Sequence, residues 1–185
     1  DPYSSVLKTE SPRLGDAGYL VHVIAPPYML MELVEAEFLC LDIKHSLIRT
    51  AEYGDVHHLT VARWNTKTSR SVVVGRVLMN YMTAESISDG LISLFKTAEE
   101  TTGEIIDFFA VCDDTLFIRL FITDESLPPC YIQDASIDGN LKGFMLDFSQ
   151  AEFNALILLF QYFHRDKTDD EIEERVAFMT KGCKF

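Results

Sequence analysis

The chain has 185 residues, 48% of them hydrophobic and 24% charged, the composition of one ordinary globular domain with enough apolar surface for a full core. No apolar run reaches transmembrane length, and no basic, apolar, small-residue leader opens it, so neither a membrane span nor a signal peptide is expected. The net charge of −13 argues against a general nucleic-acid-binding surface, because phosphate neutralisation needs Lys and Arg. It leaves room for an acidic metal site that works on nucleic acid held by a separate basic region.

Residues 1–17 are polar, with Pro2, Pro12 and Gly15, and read as a linker or arm ahead of a domain over 18–185. Tyr19 to Ile24 reads as a strand. Pro26-Pro27 ends it, and Tyr28 to Ala36 follows as a short helix with Pro27 in its first turn and Met29, Leu30, Leu33 and Val34 as its apolar stripe. Phe38-Leu39-Cys40-Leu41-Asp42 is an apolar strand ending in a carboxylate, and Lys44 to Asp55 a polar connection. Val56 to Trp64 alternates as a strand does. Asn65 to Ser69 has turn composition, and Ser71 to Met79 is a β-branched run that pairs back as a hairpin or meander.

Ser86 to Thr101 carries apolar residues at Ile87, Leu91, Leu94, Phe95 and Ala98, the spacing of a helix, with Ser86 as its cap and Asp89 in its first turn. Glu104 to Cys112 and Leu116 to Thr123 are apolar segments of unsettled type, and Leu127 to Asn140 has loop composition. Phe144, Met145, Leu146 and Phe148 form a short apolar run that reads as a buried strand ending in a carboxylate, Asp147. Ser149 and Glu152 have capping-box spacing for an almost wholly apolar helix from Gln150 to Phe163. Thr168 to Glu171 caps a short acidic helix, and Val176 to Met179 reads as a last strand. Strands followed by alternating helix and strand point to a mixed α/β fold, a mixed sheet with helices packed on it.

Cys40, Cys112, Cys130 and Cys183 show no metal-binding spacing, which favours a reducing intracellular setting, with Cys40 and Cys112 as small core residues. Asp147 reads either as a helix-start charge or as a member of an acidic site. If the strands of Asp42 and Asp147 are neighbours, the two carboxylates repel unless a divalent cation lies between them. Hard oxygen ligands select Mg²⁺ or Mn²⁺, and a pair of such ions serves phosphodiester transfer.

The order of elements resembles the ribonuclease H-like fold of the DDE transposases, and within them the Mutator-like (MULE) transposases. Four stretches carry the resemblance: Phe38 to His45; Val73 to Met79 with Thr83-Ala84-Glu85-Ser86; Phe144 to Ala155, the nearest match; and Lys181-Gly182-Cys183-Lys184-Phe185. The resemblance implies that Asp42 and Asp147 are the first two catalytic, metal-binding acids. It implies Mg²⁺ or Mn²⁺ as cofactor, and metal-dependent DNA cleavage and strand transfer in the parent protein. Transposon-end DNA would be held through other regions of the parent, which would act in the nucleus, with homo-oligomerisation left open.

Ile43 and Lys44 depart from the family's small residue and Thr, and Lys44 is placed to pair with Asp42. The separation of Asp42 and Asp147 is long for the family, so an insertion is expected over 109–142. The third acid would lie beyond Phe185, both ends look cut from a longer chain, and the piece alone is expected to be inactive. Rival features are Asp113-Asp114 as the second acid and His57-His58, which alternate between faces and suit a metal poorly. Cys183 is a lone cysteine, the acids from Asp166 to Glu174 read as a solvated face, and Trp64 reads as strand packing rather than a base-stacking platform. The rival functions are a domesticated or decayed binding module of the same fold, and a 3′–5′ exonuclease, for which Asp42-Ile43-Lys44 lacks the expected Asp-x-Glu.

Overall fold

The computed structural model describes residues 7–8, 20–50, 53–65, 68–106, 108, 141, 143–146 and 149–180. It is a mixed α/β fold. In chain order the elements are β1 (Leu7–Lys8), β2 (Val21–Ile24), α1 (Pro27–Val34), β3 (Phe38–Thr50), β4 (Gly54–Asn65), β5 (Arg70–Met79), α2 (Ala84–Thr102), β6 (Gly143–Met145), α3 (Gln150–Phe163) and α4 (Asp169–Thr180). The strands form one mixed sheet in the order β1-β2-β5-β4-β3-β6. β3, β4 and β5 make an antiparallel meander, β2 adds antiparallel to β5, and β6 lies parallel to β3. No helix among the described residues is long and apolar enough to cross a membrane.

Alternation in the strands gives the sheet two unlike faces. Val21, Val23, Leu39, Leu41, Leu59, Val61, Val77 and Met79 point to one side and are buried. Over them lie Leu30 and Leu33 of α1, Leu91, Leu94 and Phe95 of α2, and Leu156 and Phe160 of α3, all in one core. On the other side lie His22, Ile24, Cys40, Asp42, Lys44, His58, Thr60, Arg76 and Leu78, none of them buried. Cys40, expected in the core, is half-buried on this second face.

Close approach of α2 to the sheet depends on two glycines. A Cβ added at Gly90 of α2 would lie 2.5 Å from Val77 Cγ1, and one at Gly75 of β5 would lie 2.6 Å from Leu94 Cδ2. At the other edge, Phe144 of β6 stacks near Phe108 at 6.4 Å, and Phe108 stacks on Phe160 at 4.7 Å. Arg175 of α4 donates from Nε to the Phe108 carbonyl at 2.8 Å, tying the last helix to this aromatic cluster. Arg63 faces the helices from β4 and is matched by Glu32 and Glu35 of α1.

Five readings change. β3 does not stop at Asp42 but runs on to Thr50, so Asp42 lies mid-strand; past a bulge after Lys44, Ile48 to Thr50 pair with Val56 to Gly54 as a two-stranded ribbon, held by backbone pairing rather than by apolar alternation. Thr83, not Ser86, caps α2: its side chain accepts from the Ser86 amide while Ser86 Oγ accepts from the Thr83 amide. The first-turn acid is therefore Glu85 rather than Asp89, and amide and Thr83 hydrogen bonds hold its carboxyl below the usual range. Val176 to Met179 belongs to α4, because Ile172, Val176 and Met179 are buried at helical spacing. Within the arm, Leu7 and Lys8 pair with β2. The second apolar segment, the loop over Leu127 to Asn140 and almost all of the expected insertion lie outside the described residues.

Gly90→Ala tests the helix–sheet contact. Alanine favours a helix by about 1 kcal/mol, but overpacking against stiff Val77 costs about 1–3 kcal/mol. A net loss of stability in urea unfolding is expected, partly recovered by adding Val77→Ala.

Candidate functional site

Asp42 lies in the middle of β3, on the open face of the sheet. Antiparallel register sets Thr60 of β4 directly opposite it, and Arg76 of β5 opposite Thr60. The next row along holds Lys44, His58 and Leu78, with His22 beyond. Asp42, Lys44 and Arg76 are exposed, while Thr60 and His58 are half-buried. One carboxylate therefore sits among two cations, an imidazole and a hydroxyl.

His58 reports the balance of that group. Burial pushes its pKa below the usual 6.5, Arg76 and then Lys44 push it further down, and only Asp42 opposes them. Burial first, and then two cations set against a single acid, disfavour the charged imidazole.

Asp147 lies outside the described residues, as do Asp113, Asp114 and the stretch from Lys181 to Phe185. The strand leading to Asp147 is described. β6 lies beside β3 with Phe38 opposite Gly143, Leu39 opposite Phe144 and Cys40 opposite Met145, and Leu146 is buried after it. α3 starts where its capping signal places it: Ser149 Oγ accepts from the Glu152 amide at 3.1 Å. Glu152 itself is buried.

His57 and His58 do point to opposite faces. His57 Nδ1 accepts the amide of Ser46 at 3.1 Å, in the bulge of β3 where Ser46 has φ +50°, which spends that lone pair on the backbone. Among the described residues no group of three His, Cys, Asp or Glu side chains could hold a metal ion. Asp169, Asp170 and Glu171 form the exposed first turn of α4, with Glu171 bonded back to the Thr168 amide at 2.8 Å. Trp64 is 41% exposed at the end of β4, less packed than expected.

Sequence reasoning missed Thr60, His58 and Arg76 as neighbours of Asp42. Counting back from the Asn65–Arg70 pair at the turn would put Arg76 opposite Leu59, on the covered face. A one-residue bulge at Val74 shifts the register, so that Ala62 pairs with Val73 but Val61 with Gly75, and Arg76 emerges beside Thr60. A cleft of about 410 Å³ lined by Glu99, Ile106, Phe163 and His164 lies at the ends of α2 and α3, on the helical side.

No family model, no curated protein and no solved structure matches this chain.

An NMR titration of His58 checks the electrostatics. Its midpoint should lie below 6.5, rise in Lys44→Ala and in Arg76→Ala, and fall in Asp42→Asn. Stability follows. Above pH 6.5 the ring is neutral folded and unfolded and contributes nothing. Below it the unfolded chain takes the proton first, so stability drops as pH falls. His58→Asn should remove that part of the acid sensitivity.

Proposed function

We propose that this chain is the core of a Mutator-like, DDE-type transposase with a ribonuclease H-like fold, in which Asp42 and Asp147 share a divalent metal site for DNA cleavage and strand transfer. The observation that carries the reading is the parallel pairing of β6 with β3. The paired residues differ by 105 in number, Phe38 with Gly143 and Cys40 with Met145. Asp42 and Asp147 differ by the same 105.

The connectivity supports it. A three-stranded meander, a helix, a parallel strand beside the first strand of the meander, and a capped helix follow one another as the ribonuclease H-like fold requires. In the donor set, Asp42 offers an exposed hard oxygen ligand, which fits Mg²⁺ or Mn²⁺. Asp147 would supply the second carboxylate. Such a metal, when bound, stabilises charge on the phosphodiester and activates the attacking oxygen. The chain's own part is to hold Asp42 on a central strand whose neighbours on both sides are paired, and to bring up Thr60, Lys44 and Arg76 beside it. DNA as substrate, a nuclear setting and self-association belong to the same proposal.

The second reading, a transposase-derived module without catalysis, is favoured by one observation. Lys44 and Arg76 already surround Asp42 with positive charge and would compete with a cation.

Thermal melts of the wild type, Asp42→Asn and Asp147→Asn, each in EDTA and in millimolar Mn²⁺, separate the two. The metal reading expects Mn²⁺ to stabilise the wild type by preferential binding to the folded state. Either substitution should abolish that rise, and Asp147→Asn should not lower stability in EDTA, because it removes carboxylate repulsion. A melting temperature indifferent to Mn²⁺, with Asp147→Asn weaker by about 0.3–1 kcal/mol, would leave Asp147 as a helix-start charge and favour the module.

A further inference from the structure

We infer that the open face of the sheet beside Asp42 grips the phosphodiester backbone of DNA through Lys44 and Arg76, with the Thr60 hydroxyl between Arg76 and the acid. The inference rests on the proposed reading for the identity of its ligand, and on the register for its geometry. Lys44 lies two residues along β3 from Asp42, and Arg76 two strands across, all on one face. Strand spacing and rise put the two cationic residues roughly 12 Å apart at Cα. That is wide for a single small anion and suited to neighbouring phosphates of a strand.

Both cations are exposed, and neither forms a salt bridge among the described residues. Among the described residues Arg63 is matched by Glu32 and Glu35, Arg49 by Asp55, Lys167 by Asp166 and Arg175 by the Phe108 carbonyl, while Lys96 and Arg165 lie over the Tyr162 ring. In a chain of net charge −13, two cations flanking one acid on this face, neither in a salt bridge among the described residues, make it locally less acidic than the chain as a whole. An anion laid across the face relieves their repulsion. Arg76 offers the planar fork that matches phosphate oxygens, and Lys44 a point charge. A metal held by Asp42 and Asp147 would offset their negative charge and leave Lys44 and Arg76 to the anion.

The test is fluorescence anisotropy of a short labelled DNA duplex of arbitrary sequence at about 0.1 M salt, where a Debye length of ~10 Å screens the distant acidic surface. Titrations run with Ca²⁺ and with Mn²⁺, on the wild type, Lys44→Ala, Arg76→Ala, the double variant and Lys44→Arg. Each alanine should weaken binding by roughly threefold to tenfold and lower the slope of log affinity against log salt by about 1. Lys44→Arg should bind as wild type, and melting temperatures should be unchanged. The inference is overturned if the wild type does not bind duplex, if the alanine variants bind as well or better, or if millimolar inorganic phosphate displaces the duplex. The last result would mark a site for a free anion. Alanine variants that bind better would mark Lys44 and Arg76 as mere counter-charges to Asp42. Failure of the metal reading alone would leave the Lys44 and Arg76 dependence intact while melting ignored Mn²⁺; failure of this inference alone would show the reverse.

Discussion

A parallel ladder of only three residue pairs, between β3 and β6, ties the strand that leads to Asp147 to the strand that carries Asp42. Parallel pairing is slightly weaker per residue than antiparallel pairing, so so short a strand needs other support. Phe144 supplies it. The ring is 1% exposed and lies against Phe108 and Phe160. Full burial of a phenylalanine contributes about 1.5–3 kcal/mol, and aromatic pairs add about 0.5–1.5 kcal/mol each. Whatever loosens the helical layer therefore loosens the strand that leads to Asp147.

The crossover that makes the pairing parallel depends on α2. The chain leaves β5 on one side of β3 and β4, and returns as β6 on the other. α2 lies close on the sheet because Gly75 and Gly90 make room for Leu94 and Val77. Gly103, at φ +75°, then ends the helix with its amide bonded to the Glu99 carbonyl, a left-handed turn that other residues adopt at a cost. Aromatic burial beside β6 and glycine contacts on β5 and α2 thus hold the same sheet against its helices.

The covered face makes the fold, and the open face carries the chemistry. Alternation along β3 sends Leu39 and Leu41 into the core and Cys40, Asp42 and Lys44 outward. The bulge at Val74 decides which residues of β5 join them. Without it Arg76 would be driven toward the core, where an unpaired guanidinium is costly; with it Arg76 lies beside Thr60, in reach of a ligand on the open face. The place of Arg76 on the same face as Asp42 follows from that one extra residue.

Much of the fold was legible in short stretches of sequence. Pro27 opening α1, Ser149 and Glu152 opening α3, the Thr168 cap and the turn between β4 and β5 all rest on interactions within about five residues. Asp42 was legible as a strand carboxylate for the same reason: apolar alternation is local. The end of β3 was not, because past the bulge the strand is kept by pairing with β4 and its side chains, Leu47 and Ile48 included, follow no apolar alternation. α4 was mistaken for a strand at Val176 to Met179, because four apolar residues fit both periods until Ile172 is counted. The neighbours of Asp42 were furthest from view. They come from three strands, and a bulge in one of them moves every later side chain to the other face, a choice made by packing across the sheet and not by any residue near Asp42 in sequence.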